Sequence, residues 1–238
     1  MTVPGNLSSP LLAVAAADSG GGDLNITKSV RFNKADSAFL NRTPSSAGNT
    51  RTWTWSGWVK YSTDPGDLGL FAGDSASSRT QFRFKSQLLD FVVEGATHRR
   101  TSAFFRDPSA WYHIVWAFDS TQSTASNRSR LYINGVEITD FSTNNTITQN
   151  QTTGVNSTNA QVIGATSTVP GDPFDGYMAD VYLIDGQQLD CTSFGAFDSS
   201  GVWQAAAYSG TFGTNGFHLF DFANESTVGH DSSGNNND

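Results

Sequence analysis

The chain has 238 residues, and 37% of them are hydrophobic, which is enough apolar material for one sizeable core. Its formal charge is −8, and all 14 Lys and Arg lie at or before Arg130. A nucleic-acid-binding protein needs a basic patch that replaces phosphate counterions, so these scattered basic residues predict no nucleic-acid partner. No run of about 18 apolar residues is present, so the sequence predicts no membrane span.

Residues 1–23 hold the apolar stretch LLAVAAA but no basic residue before it. A signal peptide usually carries positive charge there, so we interpret residues 1–23 as an N-terminal arm. Such an arm either docks on a neighbouring subunit or is flexible. The single cysteine, Cys191, excludes an internal disulfide and is expected to be a small buried side chain.

Residues 51–61, RTWTWSGWVKY, alternate as a long β-strand with Trp53 and Trp55 on one face. Aromatic rows can stack on sugar rings, but aromatic residues in strands more often build a core. We therefore expect Trp53 and Trp55 to be buried. Trp58 lies on the more polar face and is the exposed candidate for ligand contact.

Residues 80–85 and 88–93 predict a meander of antiparallel strands in which polar and aromatic residues alternate. Gln81, Arg83 and Lys85 oppose two phenylalanines, and this pattern is typical of a sheet with one solvated face. A basic cluster, His98-Arg99-Arg100, follows. Arg99 and Arg100 are candidate ligand-binding residues, although a solvated strand end is the favoured explanation of this cluster.

Residues 110–119, AWYHIVWAFD, are apolar on both faces, which predicts a strand covered on both sides. His113 lies within this strand, so we expect a hydrogen-bonded core histidine rather than a catalytic base. A second strand over residues 128–134 ends at Asn134-Gly135. This dipeptide predicts a two-residue hairpin turn, because both positions require positive φ.

Residues 141–160 form a run of Asn, Thr and Gln with little apolar content. This run is long for a structureless loop inside a compact domain, so we expect it to be functional, disordered or held by a neighbour. Residues 174–186 then predict a further strand that is apolar on both faces. Many strands separated by turn residues predict an all-β, antiparallel β-sandwich.

Three segments carry a resemblance to a known family. WYHIVWAFD followed by RLYINGVEI, and FDGYMADVYLIDG later in the chain, resemble LamG-like, concanavalin A-like jelly-roll domains. The fuller pattern, including SVRFNKADSAFLNRTPSSAG and YSGTFGTNGFHL, resembles tailed-bacteriophage virion proteins of this type. The resemblance divides the chain into an N-terminal arm (1–23), a LamG-like sandwich (24–200) and a C-terminal extension (201–238). The ending DSSGNNND resembles the lead-in to a further segment.

The resemblance implies a non-enzymatic virion component on the outside of the tail or the capsid. One interpretation is a tail fibre or spike module that contacts host surface glycans. The alternative is a capsid-surface decoration protein that binds no ligand. In both, the partners are other virion proteins, and a homo-oligomer is expected, with a trimer as the inferred state.

A polysaccharide-degrading enzyme is the less supported alternative. Retaining glycosidases need two carboxyl groups about 5 Å apart. The only glutamates are Glu94, Glu137 and Glu225, and Asp90 and Glu94 on one strand face would lie about 13 Å apart. The chain also has no G-x-S-x-G nucleophile elbow, and its histidines have no zinc-ligand spacing.

Calcium is the one cofactor that the resemblance brings into consideration, because LamG-like domains often bind Ca²⁺ at the sandwich rim. Aspartates in loops supply the hard oxygen ligands that calcium prefers. Aspartate in a turn also has a local explanation, since its side chain bonds nearby backbone N–H groups. No ligand is therefore assigned among the candidates, which are Asp64, Asp67, Asp74, Asp172 and Asp175.

Overall fold

The computed structural model describes residues 24–62, 66–74, 79–169, 171–222 and 228–238. The predicted N-terminal arm, residues 1–23, lies outside this part of the chain. The described residues form β-strands and three short 3₁₀ helices, at Lys34–Asp36, Ala125–Arg128 and Cys191–Ser193. None of these helices is long and apolar enough to cross a membrane.

The strands follow one another along the described chain as short, mostly three- to ten-residue segments. In chain order they are β1 (Val30–Phe32), β2 (Leu40–Arg42), β3 (Thr52–Tyr61), β4 (Asp67–Asp74), β5 (Thr80–Lys85), β6 (Leu88–Val93), β7 (Ala96–Thr101), β8 (Tyr112–Asp119), β9 (Ser129–Ile133), β10 (Val136–Ile138), β11 (Phe141–Asn144), β12 (Ala160–Ile163), β13 (Gly176–Asp185), β14 (Gly195–Phe197), β15 (Trp203–Ala205) and β16 (Phe217–Leu219).

Two seven-stranded antiparallel sheets form the molecule. Sheet A has the order β1-β13-β3-β8-β9-β10, and β16 also pairs with β13. Sheet B has the order β11-β7-β6-β5-β4-β12-β2, and β14 and β15 form a separate pair. The predicted all-β, antiparallel sandwich is therefore confirmed.

The inner faces of the two sheets meet in a core rich in aromatic side chains. Trp53 and Trp55 are fully buried there, as predicted. The Phe82 ring from sheet B lies 5.8 Å from Trp53, 5.7 Å from Trp55 and 4.8 Å from Trp116, measured between centroids. Aromatic rings bury large apolar areas and prefer such tilted and edge-on contacts.

The outer face of sheet A is covered by a second apolar layer from the C-terminal part of the chain. Ile114 and Trp116 of β8 belong to the inner core, whereas Val115 and Ala117 belong to this outer layer. Trp203 of β15 lies in the same layer. The prediction that residues 110–119 are covered on both faces is confirmed.

His113 joins the outer layer to sheet A through both of its ring nitrogens. Trp203 Nε1 donates to His113 Nδ1 at 3.0 Å, so Nε2 carries the proton and donates to Ser56 Oγ at 2.9 Å. Burial lowers the pKa of His113 to about 3, because the imidazolium would lose its hydration. The prediction of a hydrogen-bonded core histidine is confirmed.

The predicted hairpin turn is present between β9 and β10. Asn134 and Gly135 adopt φ values of 47° and 81°, the left-handed region that this turn requires. Gly135 also lies against the indole of Trp203, since an added Cβ would be 2.2 Å from a ring carbon. This position therefore requires glycine for two independent reasons.

The polar run over residues 141–160 is held by the chain itself. Its first part forms β11, which pairs with β7. The buried Arg128 donates to three backbone carbonyls, that of Ile147 among them at 2.7 Å. Ile147 and Val155 are fully buried in the core. The expectation that this run is disordered or held by a neighbouring subunit is wrong, because buried arginine and core contacts order it.

The described residues after 200, which are 201–222 and 228–238, pack against the sandwich. The Asp231 carboxylate accepts hydrogen bonds from the backbone N–H of His218 (2.9 Å), Ser233 (2.8 Å) and Asn237 (2.9 Å). Asn237 in turn donates to the Gly216 carbonyl at 2.8 Å. Within the described residues, the segment DSSGNNND thus forms a hydrogen-bonded turn against β16.

The His113→Gln variant tests the electrostatic consequence of burial. The unfolded chain binds a proton below the ordinary pKa of 6.5, whereas the folded chain does so only near 3, so stability is lost as the pH falls between these values. We expect the contribution of His113 to lower the free energy of unfolding by about 3 kcal/mol between pH 7 and pH 4. This part of the pH dependence should be absent in the variant.

Urea unfolding of the wild type and the variant at the two pH values measures this difference. Val169→Ala, at an exposed residue without a titratable side chain, is the control and should keep the wild-type pH dependence. An unchanged pH dependence in His113→Gln would contradict the assignment.

Candidate binding face

The outer face of sheet B carries a row of charged side chains on consecutive strands. The register of β5, β6 and β7 places Arg83 opposite Asp90, and Asp90 opposite Arg100. Cross-strand partners point to the same side of a sheet. Phe82 and Phe91, the sequence neighbours of this row, point into the core. The alternation in the sequence therefore correctly predicts one polar face.

Asp90 lies at the centre of this row, and its side chain is fully buried beneath two arginines. Arg100 donates through Nε to Oδ1 at 2.6 Å and through a terminal nitrogen to Oδ2 at 2.7 Å. These hydrogen bonds raise the pKa of Arg100 above its ordinary value. A bidentate pair fixes the orientation of the guanidinium. The Arg100 side chain is still 30% exposed, so an ordered cation faces solvent here.

The connection between β12 and β13 lies over one side of the outer face of sheet B. Gln81 Nε2 donates to the Thr166 carbonyl at 3.0 Å and ties this connection to β5. Gly69 lies underneath, where an added Cβ would be 2.4 Å from a backbone atom of the connection. Asp172 belongs to this connection and accepts a hydrogen bond from Arg83 at 3.2 Å, so the charged row continues onto the connection.

An exposed aromatic ring lies at the end of the face. Phe105 donates its backbone N–H to the Gln87 carbonyl at 2.8 Å, which places Phe104 beside the turn between β5 and β6. The Phe104 side chain is 53% exposed, and the Arg106 guanidinium lies 4.7 Å from its ring centroid. Lys85 is the last residue before the same turn. It forms an ion pair with Asp67, and both side chains are partly exposed. An exposed aromatic ring thus lies at the turn end of the strands that carry the charged row.

The expectation that Trp58 is exposed is wrong. Only 3% of its surface is accessible, and its ring lies 4.8 Å from the His113 ring. Its strand face is the outer face of sheet A, which the C-terminal layer covers. Alternation within one strand separates two faces, but it does not show whether a distant segment covers the second.

The two candidate arginines have different environments. Arg99 is buried and donates to the carbonyls of Asn145 at 2.6 Å and His98 at 3.2 Å, and burial lowers its pKa. It orders the start of the polar run, so the interpretation as a solvated strand end is wrong for Arg99. Arg100 belongs to the binding face described above. Of the predicted ligand-binding residues, the structure therefore places only Arg100 there.

Asp90, Phe104 and Arg106 were not predicted as ligand-binding residues, and Asp172 was considered only as a calcium candidate. An aspartate inside the apolar run LLDFVV is the one local signal, because a buried carboxylate needs a partner. The sequence does not show which arginine supplies it. The position of Phe104 depends on a loop contact between distant residues.

The calcium candidates do not converge among the residues that the structure describes. Asp64 and the side chain of Asp74 lie outside those residues. Asp175 accepts from Arg31 at 2.9 Å and from Ser62 at 2.7 Å, and Asp172 is bonded to Arg83. No group of three or more His, Cys, Asp or Glu in the described residues has a metal-binding arrangement. The described carboxylates thus have protein cations or hydroxyls as partners.

The sequence matches the family model described as the concanavalin A-like lectin/glucanases superfamily over residues 33–188. No curated protein sequence matches the chain.

Several solved structures have a similar fold. A heptameric SAP-like pentraxin from Limulus polyphemus is 16% identical, with 74% of this chain and 80% of that chain covered and a TM-score of 0.45. Domain 4 of the arabinanase AbnA from Geobacillus stearothermophilus, in complex with arabinotriose, is 17% identical, with coverages of 71% and 76% and a TM-score of 0.48. The CBM40 of the Ruminococcus gnavus IT-sialidase, bound to α2,3 sialyllactose, is 12% identical, with coverages of 60% and 89% and a TM-score of 0.40. These similarities identify no functional residue in this chain.

Removal of Arg100 tests the centre of the binding face. Arg100→Met leaves the buried Asp90 carboxylate without its bidentate partner, so we expect the free energy of unfolding to fall by about 2–4 kcal/mol. Lys85→Met removes an exposed ion pair of the same face and should change it by at most about 1 kcal/mol. Urea denaturation measures both values. Equal losses in the two variants would show that Arg100 does not stabilise the fold through Asp90.

Proposed function

Since the chain belongs to the concanavalin A-like lectin/glucanases superfamily, we propose that it is a non-enzymatic glycan-binding module of a bacteriophage virion. In this proposal the outer face of sheet B binds a host surface glycan. The module belongs to a tail fibre or spike, and its partners are further virion proteins.

The observation that supports glycan binding is the ordered charged row of sheet B, together with an exposed aromatic ring at the turn end of the same strands. Arg100 is fixed by its bidentate pair with Asp90, and Phe104 presents its ring to solvent. A sugar has an apolar face that can stack on an aromatic ring and hydroxyl groups that need hydrogen-bond partners. Fixed polar groups beside an apolar surface supply both, with little ordering cost on binding.

The arrangement of carboxylates supports binding rather than hydrolysis. A retaining glycosidase needs a second carboxyl group about 5 Å from the first. The side chain of Asp90 is instead buried beneath Arg83 and Arg100, and Arg83 also pairs with Asp172, so these carboxylates have arginines as partners. We therefore propose a binding module without catalytic residues.

The virion setting rests on the sequence resemblance to tailed-bacteriophage proteins. The competing interpretation, a capsid-decoration protein, expects the polar run at residues 141–160 to be ordered by neighbouring subunits. Arg128 and the core order that run within one chain, so the run does not support the competing interpretation.

Glycan binding is tested first on an array of bacterial surface polysaccharides and then by calorimetry with the best ligand. Phe104→Ala should weaken binding roughly three- to tenfold, because a stacked aromatic contact contributes about 0.5–1.5 kcal/mol. Arg100→Lys should also weaken binding, since lysine keeps the charge but loses the planar fork. The matched control is Phe197→Ala, because Phe197 is similarly exposed but lies on β14 in the layer over sheet A.

An array without any binding would contradict the glycan proposal. Binding that Phe197→Ala weakens and Phe104→Ala does not would place the site outside the face of sheet B.

The virion setting has its own test. Particles purified from a lysate of the source by density gradient should contain the chain, and labelled antibodies should mark the tail in electron micrographs. Copy numbers in multiples of three would agree with the inferred trimer. Labelling restricted to the capsid would favour the decoration protein, and absence from particles would contradict both virion interpretations.

A further inference from the structure

A pocket of about 350 Å³ lies between the two sheets at one edge of the sandwich. It is bounded by β2 at the edge of sheet B, by β16 of sheet A and by the C-terminal residues 228–230 and 237–238. Asp231 ties Asn237 to β16, because its carboxylate accepts from the backbone N–H groups of His218 and Asn237. The pocket is thus bounded on three sides.

The floor of the pocket consists of side chains that also belong to the hydrophobic core. Phe71 and Ile163 come from sheet B, Phe217 and Leu219 come from sheet A, and Leu40 lies at the edge. The pocket is partly open to solvent, so these core side chains line a cleft that a ligand can enter. Its volume lies within the range of small-molecule sites, which are mostly apolar with a few polar groups.

The polar side chains around the pocket differ in the hydrogen-bond and ion-pair partners that the protein gives them. Gln161 donates to the carbonyls of Gly154 and Asn159, and His230 and Asp238 pair with each other at 3.2 Å. Arg42 donates to the neutral Asn237 side chain, and no ion pair involves it among the described residues. Burial lowers the pKa of Arg42, while the nearby Asp231 raises it. An anion at Arg42 would gain a charge-assisted hydrogen bond.

We propose that this pocket binds a medium-chain carboxylic acid, with its hydrocarbon chain on the core side chains between the sheets and its carboxylate on Arg42. This site is separate from the glycan-binding face on sheet B, and its test does not depend on glycan binding. A hydrocarbon chain needs no hydrogen-bond partners on the floor of Phe71 and Ile163, whereas sugar hydroxyl groups there would depend on the polar side chains around the pocket.

Octanoate is the probe, and octanol is its matched uncharged control. Calorimetry and thermal unfolding should show that octanoate binds and stabilises the full chain. Arg42→Gln keeps a donor for Asn237 but removes the charge, so octanoate affinity should fall about tenfold while octanol affinity stays unchanged. Leu40→Trp fills the pocket from its edge and should abolish binding of both ligands.

Thermal unfolding without ligand shows whether each variant is folded. If Leu40→Trp does not fold, the comparison of the two ligands on Arg42→Gln still decides the outcome. Failure of the wild type to bind octanoate would overturn the proposal. Equal affinities for octanoate and octanol, both unchanged in Arg42→Gln, would overturn the assignment of the carboxylate to Arg42.

Discussion

The structure depends on sheet A being apolar on both of its faces. Strands β3, β8 and β13 direct large side chains toward sheet B and also away from it, and water would be in contact with the second set if it were uncovered. The chain meets this constraint by folding its last part back over sheet A. As a result the outer face of sheet B, and not that of sheet A, presents charged side chains to solvent.

Polar side chains that are buried in this core need hydrogen-bond partners within the protein. His113 stays neutral and uses both ring nitrogens, Arg128 donates to backbone carbonyls, and Asp90 is held by Arg100. An unpaired buried polar group would cost free energy, so these residues connect segments that are distant in sequence. The polar run after β10 is ordered for this reason. The same requirement produces the fixed cation that the proposed glycan site uses.

The candidate site was only partly predictable. Arg100, a candidate from the sequence, lies on the charged face of sheet B, and its contact with a ligand stays a prediction. Trp58 was incorrectly expected to be exposed, because the alternation of β3 contains no information about the layer that Trp203 and its neighbours form. Phe104 could not be identified, since its exposure depends on the hydrogen bond between Phe105 and Gln87. Each error concerns a contact between residues far apart in the chain.

The sequence by itself determined the all-β class, the strands that are apolar on both faces, the hairpin at Asn134-Gly135 and the buried state of His113. These features depend on side-chain periodicity and on local backbone preference, which a linear pattern contains. Only the tertiary structure decided which outer face stays open, which cation pairs with Asp90, and that a pocket lies between the sheet edges at Arg42. Those outcomes depend on register and on long-range packing, because the same local pattern is compatible with several partners.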